Sequence, residues 1–165
     1  MTRVPSLICP VDFSDASRAA LTHAAAIADH FGAEITVLTV VDPFVAAMAA
    51  AEPTETTFET DTENALRRYC HDALAHLPSG PRSLRLRHAI GNPAVEIRRE
   101  AQESNADLIV MSSHGQRGIR KMLFGSTTER VLRETHVPVL ITPASRTEAL
   151  TLSEMAEQLY EVVAP

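Results

Sequence analysis

The chain has 165 residues, 45% hydrophobic and 22% charged, with a formal net charge of −6. That is the size and balance of one globular domain with a real apolar core, and no apolar run reaches the ~20 residues that cross a bilayer. An acidic chain argues against a general nucleic-acid binder, which needs cationic side chains to face phosphates. Neither nucleic acid nor membrane is an expected partner.

Met1 to Pro5 lack the long apolar stretch of a signal peptide. Cys9 and Cys70 make no disulfide framework, so reduced thiols and a cytoplasmic location are expected. Leu7 to Asp12 is a short apolar run ending in an acid, read as a buried first strand with Asp12 at its C-terminal tip. Ser14 and Asp15 supply a helix N-cap and a favourable first-turn charge. Ala20, Leu21, Ala24, Ile27, Ala28 and Phe31 then recur at helical spacing, and Gly32 provides the stop. Ile35 to Asp42 is β-branched and dense, a second buried strand in a parallel βαβ unit.

The pattern fails from Pro43 to Thr57. A helix from Phe44 to Ala51 is one reading, but a mobile loop is preferred. Phe58, Thr62, Ala65, Leu66, Tyr69, Ala73, Leu74 and Leu77 restore a helical stripe, ended by Pro78 to Pro81. Ser83 to Ile90 alternates Leu84 and Leu86 with Arg85 and Arg87, as an edge strand does. Asn92 caps the next short helix with Pro93 at its first position, and that helix frays near Asn105.

Leu108 to Met111 is a bare apolar run, a fourth strand buried on both faces. It passes into the small residues Ser112, Ser113, His114 and Gly115, and the stretch closes on Gly125, Ser126, Thr127 and Thr128. Ser126 and Glu129 stand three apart, the spacing of a capping box. A helix N-terminus offers unpaired N–H groups and the positive end of its dipole, a site suited to phosphate. Arg117, Arg120 and Lys121 lie between the two ends. Val137 to Thr142 makes a fifth strand, in which Pro138 fits only the first residue or an edge.

Regular alternation of strand and helix specifies an α/β fold, an open parallel sheet with helices on both faces. Residues 1–143 form that domain, and 144–165 an extension. In the extension Leu152, Met155, Leu159 and Val162 make a narrow apolar stripe after a capping Ser153, suited to docking on the chain's own domain or on another molecule. The chain lacks the G-x-x-x-x-G-K-[ST] and G-x-G-x-x-G signatures and the spacings of a metal site. Ser113-His114-Gly115 is half of a nucleophile elbow, but Met111 stands where its first glycine belongs. His23, His30, His71 and His76 are expected to face solvent. Asp12 has two readings, a cap on the following turn or a ligand contact at the carboxyl edge of the sheet.

Pro10-Val11-Asp12-Phe13-Ser14, Val40-Val41-Asp42, Gly91-Asn92-Pro93 and Met111 to Thr128 together resemble the universal stress protein family, over roughly Pro5 to Thr142. Its nucleotide-binding members carry G-x2-G-x9-G-[ST]. Here Ser112 replaces the first glycine, Gly115 is the second, and Gly125-Ser126 follow the spacer. The resemblance implies a five-stranded sheet of order 3-2-1-4-5 and homodimers joined along the fifth strand. It implies ATP, accompanied by Mg²⁺, as the ligand. Asp12 and the backbone of Val40 would meet the adenine end, and Met111, Ser112 and Gly115 the ribose and phosphates, with Pro10 and His114 also at the binding site. Gly125, Ser126, Thr127 and Thr128 would hold the phosphates. No general base or metal cage stands out, so a regulatory protein rather than an enzyme is expected, with a protein partner at the C-terminal helix. The rival expectation is a nucleotide-free interaction module acting through dimerisation and that helix.

Overall fold

The computed structural model describes residues 5–51, 57–77, 81, 83–114 and 124–143. In chain order the elements are β1 (Ser6–Val11), α1 (Asp15–Phe31), β2 (Glu34–Val41), α2 (Pro43–Ala51), α3 (Phe58–Leu74), β3 (Ser83–Ile90), α4 (Pro93–Glu103), β4 (Leu108–Ser112), α5 (Ser126–Glu134) and β5 (Val139–Thr142). The strands form one sheet of order β3-β2-β1-β4-β5, and every neighbouring pair is parallel. The third-to-fifth order implied by the resemblance is therefore the observed one. Among the described residues, no helix is long and apolar enough to cross a membrane.

Local chemistry sets most boundaries. Ser14 Oγ accepts the Ser17 N–H at 3.2 Å to start α1, and Gly32 ends it at φ 62°, a left-handed conformation that costs glycine nothing. Asn92 Oδ1 accepts the Val95 N–H, with Pro93 at the first turn of α4. Gly91 cannot be replaced freely: its φ is 157°, and an added Cβ would lie 2.9 Å from Glu96 Oε1.

Alternation along the strands makes two cores. On one face α1 and α3 cover Leu7, Cys9, Val11, Ile35, Val37 and Val110. On the other, Ile97 of α4 and Val131 of α5 meet Ile8, Leu38, Ile109 and Met111. Leu21, Ile35 and Ile109 are fully buried, each stabilising by about 1.5–3 kcal/mol relative to exposure. The alanines of α1 let it settle so deeply that His23 is buried too, with only 3% of its surface exposed. The expectation of a solvent-facing histidine fails there, because α1 packs against β1, β4 and β5 as well as α3, so that little of its circumference stays wet. His30, His71 and His76 are exposed as expected.

Three further expectations change. Pro43–Ala51 is helical, not a loop: Asp42 Oδ1 accepts the Phe44 N–H at 2.8 Å, and Ala46 N–H returns to Asp42 O. An aspartate followed by proline opens a helix, and alanine sustains it. α3 stops at Leu74, short of Leu77, whose N–H turns back to Leu74 O; Pro78 to Gly80 lie outside the described residues. β5 begins at Val139, just after Pro138, which has no N–H for the ladder but accepts from Ile109 N–H at 2.9 Å. β3 and β5 are the two edges. β3 carries Arg85 paired with Glu34 at 3.0 Å, a charged edge that discourages further pairing.

Candidate functional site

β1 and β4 are neighbours, yet their onward connections diverge. The chain leaves β1 through α1 on one face and leaves β4 toward α5 on the other. Connections that part in this way leave a crevice at the carboxyl ends of the two strands, the place where open α/β sheets take ligands. Asp12, Phe13 and Ser14 form one wall, and Ser112, Ser113 and His114 begin the other.

The β1 wall is stiffly built. Asp12 Oδ1 accepts from Ser14 Oγ at 2.5 Å and from Ser14 N–H at 3.2 Å, while Asp12 N–H reaches Ser17 Oγ at 3.3 Å. This carboxylate oxygen therefore does what a strand-end capping acid does. Behind the turn, Tyr69 of α3 donates to Ser14 O at 3.0 Å and shares a 2.8 Å hydrogen bond with Ser17 Oγ. Burial pushes the Tyr69 phenol up, so it stays protonated and able to donate. Phe13 takes φ 64°, an outlier for a bulky residue, and is held edge-on against the Tyr69 ring at 5.3 Å. Holding phenylalanine there costs about 1–3 kcal/mol, which the Tyr69 contacts offset. The contacts that join Phe13 and Ser17 to Tyr69 had no signal in the sequence, since Tyr69 is 52 residues from Ser17.

The β4 wall is made by one chain segment that leaves the strand and returns. Ser113 N–H donates to Thr142 O at 2.9 Å, and Ser113 O accepts the Gly125 N–H at 2.8 Å. Thr128, buried in the first turn of α5, donates through Oγ1 to Ser112 O at 3.0 Å. These bonds bring Gly125, Ser126 and Thr127 to the mouth of the crevice. Gly115 and the cations Arg117, Arg120 and Lys121 lie outside the described residues.

The capping box is absent. Gly125, not Ser126, is the N-cap, and among the described residues no side chain caps α5. Glu129 instead pairs with Arg133 at 2.6 Å one turn on, while its N–H donates to Gly125 O. A glycine has no side chain to cap with, so the first N–H groups of α5 have no intrahelical acceptor. Ser126 is exposed and Thr127 half-buried, so both hydroxyls are near solvent. The Thr128 hydroxyl is committed to Ser112 O and positions the helix.

Ser112, in the place of the glycine, is buried, and its Oγ donates to His114 O at 2.7 Å. Positive φ among the described non-glycine residues occurs only at Phe13 and Asn105, so serine is unstrained here. By alternation its side chain belongs to the α1 face with Val110, opposite to Met111. Pro10, Val40 and Met111 share the other face: Met111 is buried, Val40 packs partly buried against the α4–α5 core, and Pro10 follows Ile8 on the same pleat. His114 Nδ1 contacts Ser113 Oγ at 3.1 Å. Among the described residues no group of His, Cys, Asp and Glu could hold a metal ion.

A five-stranded doubly wound sheet with a glycine-capped helix N-terminus at its switch point defines a class of small α/β proteins able to receive an anion at that edge. The model of the Universal stress protein family matches residues 5–143. The chain belongs to that family. It is 34% identical over 148 residues to Universal stress protein MJ0531 of Methanocaldococcus jannaschii, covering 86% of this chain and 84% of that protein. The structure of MJ0577 superposes with a TM-score of 0.66 at 25% identity, over 90% of this chain and all of that one. A universal stress protein in complex with cAMP superposes at 0.65, also at 25% identity, over 87% of this chain and all of the other.

Proposed function

We propose that this chain is an ATP-binding universal stress protein, a homodimeric regulator whose nucleotide state alters its contacts with other proteins. The observation that carries the reading is the meeting of the Asp12 turn and the glycine-capped N-terminus of α5 at one crevice. The related structure that holds cAMP supports adenine as the base. Pro10, Val40 and Met111 share one face, apolar matter for a purine to lie against. The N–H groups of Ser126 and Thr127, with their hydroxyls, suit phosphate oxygens. Serine at position 112 is compatible with this, because its side chain belongs to the other face and is tied to His114 O. When bound, ATP would bring Mg²⁺ with it and supply the charge to which the switch responds. No catalytic step is assigned to the chain.

Dimerisation is proposed along β5, whose Val139, Leu140 and Ile141 are only half-buried on a strand with one neighbour. A cytoplasmic location suits Cys9 and Cys70, which are buried free thiols. Titration calorimetry with millimolar ATP should give saturable heat with one nucleotide per chain, and native mass spectrometry should show the dimer. Heat no greater than that of buffer dilution overturns the nucleotide reading.

A further inference from the structure

The Asp12 carboxylate owes its orientation to a chain of hydroxyls that ends on α3, away from both strands of the crevice. Ser14 Oγ has one proton and, at 2.5 Å from Asp12 Oδ1, spends it on the carboxylate. Ser17 Oγ accepts the Asp12 N–H at 3.3 Å and lies 3.3 Å from Ser14 Oγ. Tyr69 gives its proton to Ser14 O at 3.0 Å. The Ser17 proton is then left for Tyr69 Oη at 2.8 Å, with Ser14 O at 3.1 Å the longer choice. Each hydroxyl proton has an acceptor, and the tyrosine oxygen bonds to both serines that hold Asp12.

The turn needs such a brace. Asp12 is followed by Phe13 at φ 64°, a backbone conformation that phenylalanine disfavours and that persists only where packing holds it. Tyr69 is 6% exposed and Ser17 2%, so water does not replace these bonds when one is lost. The ring of Tyr69 is fixed separately from its oxygen: Phe13 meets it edge-on at 5.3 Å, and the Arg18 guanidinium lies over it at 4.9 Å from the centroid. The opposite wall is held by other means, Thr128 Oγ1 on Ser112 O and Gly125 N–H on Ser113 O. The two ends of the crevice are therefore anchored independently.

We propose that Tyr69 is a positioning residue for the nucleoside end of the ligand: through Ser14 and Ser17 its hydroxyl aims the Asp12 carboxylate, and so sets how far the chain prefers ATP to bare phosphate. The inference rests on the nucleotide reading above and adds to it a residue of α3 that acts through Asp12 rather than on the ligand.

The test is Tyr69→Phe in the full chain, which keeps the ring against Phe13 and Arg18 and removes only the oxygen. Parent and variant are titrated by calorimetry with ATP and with inorganic tripolyphosphate. ATP affinity should fall about fivefold, the scale of one buried hydrogen bond that holds a binding group in place. Tripolyphosphate affinity should stay within about twofold of the parent, as for sites that do not share partners. Ser17→Ala breaks the same network from α1 and should give the same pattern, which decides the matter if Tyr69→Phe fails to fold. In an Asp12→Ala background, Tyr69→Phe should cost less than about twofold in ATP affinity, because the group it positions is gone. Parallel losses for the two ligands, an unchanged ATP affinity, or a full loss in the Asp12→Ala background overturns the proposal while leaving the nucleotide reading intact. A parent chain that binds neither ligand overturns both.

Discussion

α1 and α5 both start at the carboxyl edge of the sheet, after the neighbouring strands β1 and β4, and their first turns are built in opposite ways. At α1 the donors are answered from within: Ser14 Oγ caps Ser17, Asp12 braces Ser14, and Tyr69 braces both serines. At α5 the cap is a glycine, and the helix is fixed from behind by Thr128 on Ser112 O and by Gly125 on Ser113 O. One terminus has its hydrogen bonds turned inward; at the other, among the described residues, no side chain answers the first donors. Under the proposed function the difference has a meaning: the first element is scaffold and the second receives the ligand. A helix that must stay put is capped by side chains, whereas one that must offer N–H groups is anchored by contacts that leave them clear.

That contrast can be broken most severely through Thr128. Thr128→Val keeps the shape but removes the donor to a buried carbonyl, and should cost about 1–3 kcal/mol, read as a lower urea midpoint, together with weaker ATP binding as α5 shifts. A loss of stability with unchanged affinity would separate the helix from the site. Ser126→Asp acts in two directions: a negative charge in the first turn should stabilise α5 by about 0.3–1 kcal/mol, yet repel phosphate and weaken ATP binding about tenfold. Thermal melting and calorimetry on the same sample check both signs. Ser14→Ala removes a cap and should cost about 1 kcal/mol; it also takes the Ser14 hydroxyl from Asp12 Oδ1, so ATP affinity should fall, by less than in Ser126→Asp.

The smallest expected effect is the alkaline limit. Burial pushes the Cys70 thiol from 9.0 up to about 11, and it pushes the Cys9 thiol and the Tyr69 phenol up further. The folded chain therefore keeps these protons to higher pH than the unfolded chain does. Their contribution is complete below pH 9 and declines as pH rises through 11. A urea midpoint that falls across that interval is expected, with part of the fall removed by Cys70→Ala.

Much of the fold was legible because its determinants are local. Ser14, Gly32 and the Asn92-Pro93 pair mark helix ends through bonds to residues three or four positions away. The dense runs at β2 and β4 and the alternating arginines of β3 state their burial directly. Near misses came where two local signals competed. Asp42-Pro43 opens a helix that the later prolines and threonines obscured, and Ser126 has the right spacing for a cap that Gly125 holds instead.

The amino-acid order by itself determined a parallel α/β domain and its five strands, because periodicity and capping are written in neighbouring residues; that the ends of β1 and β4 are neighbours was implied by the family resemblance and is seen in the sheet. Tertiary structure alone decided that His23 is buried, that Phe13 is held at positive φ by Tyr69, and that the Ser112 carbonyl fixes Thr128. Each of those facts depends on groups brought together by packing from distant parts of the chain. No window of sequence contains both partners, and only the closed sheet with its helices in place supplies the second one.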